Sequence, residues 1–369
     1  MAKDNPYSFL HVSRPEIDLG PEVDAYSAAV YAKGAENLRL LMEKNALIQD
    51  PAPCFYLYQQ ILEDHRQIGL VAAASCEEYD SGSIKKHELT RPIKEDDRVR
   101  HIEALNAHTG PVFLTYRAVS EIDSFVDRAS AAEPAIDYSA TDGVRHTSWI
   151  IDSEEDISFL RDQFSSIECL YIADGHHRSA AASRVNLSRH GAGQSSQFLA
   201  VIFPHNQMQI LSYNRVVKSL NGMTAEEFLS RLDSLFVIQS GGDGGCKKKN
   251  ELGLYLRGKW DSFFFKCDRV KAESLMGELD VALLQNHVLG PLLGIDDPRN
   301  STQIDFVGGI RGAAELERLV DGGDYKCAFS LYPTSIEDLM EIADANGIMP
   351  PKSTWFEPKL RDGMFCHLI

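Results

Sequence analysis

The sequence predicts an α/β fold in which helices pack on a mainly parallel or mixed sheet. Two observations carry that reading. Short apolar runs of strand length alternate with runs of helical periodicity as far as about residue 205. One of those strands, "CLYIAD", ends in an acid and passes through a glycine straight into an alanine-rich helix, "HHRSAAASRV". At 369 residues with 44% hydrophobic side chains, the chain can build one large core or two smaller ones.

Taken in order, Tyr26, Val30, Leu38 and Leu41 recur at helical intervals and predict a helix over about 24–44. "CFYLYQQ" and "QIGLVAAAS" read as a strand pair around the polar "LEDHR" turn. A helix follows near "DDRVRHIEALNAH", and then "GPVFLTY", whose Gly-Pro start and β-rich body mark a buried strand. The pattern repeats with "VSEIDSFVDRASA" as helix, "RHTSWII" as strand, "SEEDISFLRDQF" as a helix capped by Ser153, and "CLYIAD" as strand. "QFLAVIFP" is a further buried strand. From about residue 206 the texture changes to "MQILSYNRVV", a helix at "AEEFLSRLDSLF", the hairpin "LGLYLRGKWDSFFFK", a strand at "KCAFSLYP" and a helix at "SIEDLMEIADAN". Two regions are therefore expected, 1–205 and 206–369, the second a C-terminal α/β region.

Composition narrows the function classes. There are 54 acidic against 37 basic side chains, a formal charge of -17, which works against a nucleic-acid backbone as the main partner. The basic run "CKKKN" reads as a solvated loop. The seven cysteines are scattered and contain no CxxC, which suits reduced thiols in a cytoplasm. No segment approaches a membrane span, so a soluble cytoplasmic protein is expected.

The turn "ADGHHR" has the parts of an anion site. A helix start exposes unpaired N–H groups and the positive end of the macrodipole. Gly175 lets the backbone approach a phosphate closely, Arg178 supplies a planar charged fork, and His176 and His177 add donors. Asp174 stands at the strand end, where it can orient a histidine or hold a magnesium ion bound to phosphates. Zinc has less support, because adjacent histidines diverge and no HExxH or CxxC partner accompanies them.

"IADGHHRSAAA" is similar to the signature of the domain of unknown function 1015 family, of the ParB and sulfiredoxin-like superfamily. "NPYSFLHVSRPE", "IKKHELTRPIKEDDRVRHIEALNAHTGPVFLTY", "DGVRHTSW", "SYNRVVK", "IDFVGGIRG" and "PPKSTWFEPKLRDG" resemble further segments of that family. The resemblance implies a ParB/sulfiredoxin-like core that binds a nucleotide, ATP or ADP, with Mg2+. Family members generally extend ahead of "NPYSFLHVSRPE" with a Pro-Tyr-Asp-type turn, so no N-terminal residue is assigned to the site.

Within the superfamily, "KKHELTR" resembles the His-Glu segment that free-serine kinases use beside the phosphate turn. On that reading Glu88 takes the proton of a small substrate hydroxyl, with His87, Asp174 and His177 as further catalytic groups. Gly175, His176, His177 and Arg178 cradle the phosphates, and Asp174 holds the metal. The stiff "PPKSTW" loop offers Lys352, Ser353 and Thr354 to the nucleotide and Trp355 to the substrate. "FVGGIRG" resembles a second glycine turn with Arg311 at its entrance, and "SYNRVVK" offers Asn214 and Arg215 to a substrate carboxylate. The expected function is phosphoryl transfer to a small hydroxylated metabolite, free serine first. The alternatives are a non-catalytic nucleotide or metabolite sensor and a ParB-like DNA-binding protein. Sulfiredoxin-like thiol repair needs a cysteine in the turn, where this chain has His176.

Overall fold

The computed structural model describes residue 2 and residues 4–266 and 274–369, so Cys267 lies outside the described residues. Two units form, Met1–Met208 with Pro358–Ile369, and Gln209–Glu357.

The first unit opens with helices α1 (Leu10–Ser13) and α2 (Ala28–Glu43), the latter inside the span that the apolar periodicity predicts. The hairpin β1 (Phe55–Leu62) and β2 (His65–Ser75) turns at Glu63, which sits at φ 53. Next come α3 (Cys76–Ser81), β3 (Ile84–Lys85), α4 (Pro92–Leu105), β4 (Ala107–His108), β5 (Val112–Tyr116) and α5 (Ser120–Ala129). The unit continues with β6 (Ile136–Ser139), β7 (Arg145–Ile151), α6 (Glu154–Ser165), β8 (Leu170–Asp174), α7 (His176–Arg189) and β9 (Gln197–Pro204). Ser153 caps α6, its side chain accepting from the Asp156 N–H at 3.1 Å.

The main sheet has eight strands in the order β3-β8-β5-β9-β2-β1-β7-β6. Only β3–β8 and β5–β9 pair in parallel; the other neighbours run antiparallel. The sheet is therefore mixed, as expected, and more antiparallel than strand–helix alternation suggests. The reason lies in the connections. Helix α6 carries the chain from β7, near one edge, to β8, near the other, so it does not join parallel neighbours.

One face of this sheet buries Leu57, Leu70, Leu114, Ile172 and Phe198 against Ile122 and Phe125 of α5. Fully buried side chains of that size each contribute roughly 1.5–3 kcal/mol. Helix α7 has neighbours on two sides, and its alanines fit that position. Ala180 and Ala182 join the sheet core, while Ala181 and Val185 meet Ile102 of α4. Methyl side chains let the helix lie close to both. The helix closes with His190 in the left-handed region at φ 52. The C-terminal segment ends in β18 (His367–Leu368), which pairs with β4.

The second unit contains β10 (Ile210–Leu211), β11 (Tyr213–Val217), α8 (Ala225–Asp233), β12 (Phe236–Ser240), β13 (Glu251–Leu256), β14 (Lys259–Phe265) and α9 (Asp280–Leu284). It continues through β15 (Ile304–Gly308), α10 (Gly312–Asp321), β16 (Cys327–Leu331), α11 (Ile336–Asp344) and β17 (Trp355–Phe356). Its antiparallel sheet has the order β12-β14-β13-β16-β11-β15. Val216, Tyr255, Trp260 and Leu316 form a core beneath α10. Among the described residues no helix is long and apolar enough to cross a membrane, and the described cysteines are free thiols.

Candidate functional site

Topology explains how distant residues meet at the Asp174 turn. Strand β3 runs parallel to β8 with Lys85 opposite Tyr171, so the chain leaving β3 through Lys86, His87 and Glu88 emerges at the end of the sheet where β8 delivers Asp174. Strand β5 runs the other way, with Phe113 opposite Asp174. Its entrance at Gly110 therefore borders the same turn. The C-terminal segment adds a third approach: Lys359 Nζ lies 3.2 Å from Asp174 Oδ2 across 185 positions of sequence. The Lys359 carbonyl accepts from Gln60 Nε2 at 2.8 Å, which fixes that segment to β1.

Gly175 caps α7 at φ 109, ψ 23, a backbone state that L side chains rarely adopt. A Cβ there would stand 3.1 Å from both Nε and Nη2 of Arg178 and 3.3 Å from Val112 Cα. The Arg178 guanidinium thus folds back over the turn. A Cβ on Gly110 would lie 2.7 Å from Asp362 Oδ1 and 3.5 Å from Arg178 Nη1, so the C-terminal segment also reaches this arginine. Burial works to raise the Asp174 carboxyl, but Lys359 and Arg178 outweigh it and hold the group well below the usual carboxylate range. Two cations, an ionised acid and the open end of a helix therefore share one turn.

The two histidines diverge from that point. His176, 6% exposed, turns inward, and its ring meets that of His87 edge-on with centroids 4.4 Å apart. Its Nε2 accepts from the His87 backbone N–H at 3.4 Å. His177 turns the other way, and its Nε2 accepts from the Arg91 N–H at 3.0 Å. Both therefore grip the segment between β3 and α4. Burial pushes His87 down to about 4 and, with His87 beside it, takes His176 well below its ordinary value. Both imidazoles are neutral at pH 7. His87, Glu88 and His176 each bring one ligand atom within 4.8 Å of the others. The neighbouring Lys86 ammonium sits over the Tyr79 ring, 3.6 Å from its centroid.

The remaining residues that the sequence suggests lie in the second unit. Asn214 Oδ1 accepts from the Leu331 N–H at 3.2 Å. Arg215 is buried; Nη2 donates to the Lys352 carbonyl at 3.0 Å and Nη1 to that of Tyr213. Burial brings its guanidinium down to about 10. Arg215 also borders a cavity of about 320 Å³ with Gln285, Asp296, Asp297 and Arg299. Arg311 lies 3.7 Å from Glu315 on the surface of α10. Lys352 is exposed with φ 62, Ser353 Oγ donates to the Pro350 carbonyl at 2.6 Å, and Thr354 is half-buried. Trp355 donates to Glu357 Oε1 at 2.8 Å and covers Gly308 closely enough that a Cβ there would be 2.5 Å from its ring.

Sequence reasoning missed Lys359 and Asp362 at the turn. It also missed Arg361, which pairs with Asp142 and lies 3.4 Å from His146 Nε2, while His146 Nδ1 meets the Tyr58 hydroxyl at 2.7 Å. The signal was present in "PKLRDG", but the chemistry was read only from the "PPKSTW" half of the same segment.

The model of the family described as "Protein of unknown function (DUF1015)" matches residues 1–282. No curated protein matches the chain significantly. Three solved structures are similar over most of their length. A conserved hypothetical protein from Pyrococcus furiosus is 13% identical, with 79% of this chain and 93% of that chain covered, at TM-score 0.38. SbnI with a C-terminal truncation from Staphylococcus aureus is 10% identical, covering 79% and 85% at TM-score 0.44. A free serine kinase in complex with AMP is 12% identical, covering 81% and 92% at TM-score 0.42. At that distance the reading of function rests on the site itself.

Proposed function

The chain belongs to the DUF1015 family, and we propose that its Asp174–Arg178 turn binds the phosphates of ATP or ADP and transfers a phosphoryl group to a small hydroxylated metabolite. The observation that carries the reading is the concentration of anion-binding features on one turn. Gly175 is held in a left-handed conformation, α7 begins there, and Arg178 and Lys359 flank it. The N–H groups at the start of α7 and the two cations would bind phosphoryl oxygens and oppose the charge that spreads over them in the transition state.

Asp174 suits a hard cation such as magnesium. It is kept ionised by Lys359 and Arg178, and its side chain remains 41% exposed. A magnesium ion there would neutralise phosphate charge. The acceptor hydroxyl oxygen attacks the terminal phosphorus, the bridging P–O bond breaks with its electron pair leaving on ADP or AMP, and the hydroxyl proton passes to Glu88. Glu88 suits that role because the strand register brings its carboxylate beside His87 and His176 at the helix start. Free serine is the first acceptor to try, on the resemblance of the "HE" and "DGHHR" segments to those of free-serine kinases.

The test is a panel of amino acids and hydroxy acids incubated with terminally labelled ATP or ADP and magnesium. Transfer of label to one acceptor supports the proposal. Nucleotide binding without transfer to any member makes the protein a sensor, and no nucleotide binding removes the cradle.

A further inference from the structure

We propose that His87, Glu88 and His176 form a binding site for a zinc-class divalent cation, distinct in its donors from the magnesium position at Asp174. Their ligand atoms already lie within 4.8 Å of one another. Bonds of about 2.0–2.1 Å in a tetrahedral shell need donors about 3.3 Å apart, a closure of roughly an ångström and a half at most. Two imidazoles and one carboxylate are a borderline donor set that suits zinc, whereas magnesium favours oxygen alone.

A second observation points at the same place. His87 is 2% exposed, yet its Nδ1 has no hydrogen-bond partner among the described residues. The ring hydrogen-bonds the backbone of Ile172. A buried ring nitrogen without a partner costs free energy unless a ligand meets it, and a neutral imidazole has a lone pair to offer a cation. On the facing ring, His176 Nε2 is the accepting nitrogen of the long 3.4 Å contact from the His87 backbone.

His176 is thus joined by the "HE" segment, whose His87 stands 89 positions earlier. Three protein ligands leave a fourth position for water or a substrate oxygen. The inference does not rest on phosphoryl transfer, because binding of the ion needs no nucleotide. It does bear on it, since a Glu88 carboxylate held by zinc is not available as a base.

The experiment titrates Zn2+ alone into metal-stripped protein by calorimetry, with His87→Ala, His176→Ala and, as a control away from the cluster, His65→Ala. The expected result is one ion per chain, with affinity about 100-fold or more weaker in the two cluster variants and unchanged in the control. Equal zinc affinity in all four proteins would overturn the proposal. If the cluster variants fail to fold, zinc-edge X-ray absorption on the wild-type protein decides: a shell with two imidazoles and a carboxylate supports the site, and one without imidazole overturns it.

Discussion

Replacing Gly175 by alanine separates what the turn does for the fold from what it does for a ligand. At φ 109 a Cβ brings backbone strain of about 1–2 kcal/mol. It also stands 3.3 Å from Val112 Cα, which cannot rotate away, and 3.1 Å from the Arg178 guanidinium, which can. Gly143 supplies the comparison. It has φ 87 with nothing within 4 Å of a built Cβ, so Gly143→Ala carries the strain without the neighbours. Urea denaturation should show both variants destabilised by about 1–2 kcal/mol, Gly175→Ala somewhat more. Nucleotide affinity should divide them. Displacing Arg178 removes charge-assisted hydrogen bonds worth about 1.5–3 kcal/mol, a loss of roughly tenfold to a hundredfold. Gly143→Ala should bind as the wild type does. A Gly175→Ala protein that is destabilised yet binds nucleotide normally would refute the account of the turn.

Two further outcomes follow from other parts of the molecule. In zinc-free magnesium buffer, Glu88→Gln should leave nucleotide affinity nearly intact and lower turnover about 100-fold or more, the scale of a lost general base; unchanged turnover would remove Glu88 from that role. Asp280 is buried with Oδ2 unpartnered, and burial raises its carboxyl to about 7 from 3.8. The folded state therefore keeps a proton that the unfolded chain has released, so this contribution to stability is present at low pH and is lost as pH rises through about 7. Asp280→Asn retains an acceptor for the Asn250 N–H and escapes the loss. Its stability advantage over wild type in urea should grow by about 2–3 kcal/mol between pH 5 and 8, and a constant gap would contradict the assignment.

The fold was legible where local pattern decides it. Apolar runs located β1, β2, β5, β7, β8 and β9, and Ser153 marked its helix start. Pairing direction was not legible, because strand–helix alternation reads the same whether the helix joins neighbours or, like α6, crosses the width of the sheet. In the candidate site the turn itself stood out, since Gly175 and Arg178 are consecutive features of one helix start. Lys359 did not, because nothing local reveals that a segment 185 positions later returns to Asp174. The meeting of His87 with His176 is of the same kind, following from the parallel register of two-residue β3, too short for periodicity to reveal.

Calorimetric titration of ATP and ADP into the wild-type protein and Arg178→Ala, with and without magnesium, decides whether the Asp174–Arg178 turn is a phosphate cradle. One nucleotide should bind per chain, more tightly with magnesium, with a loss of tenfold or more in the variant. Equal affinity in the two proteins, or no nucleotide binding by the wild type, would contradict the cradle.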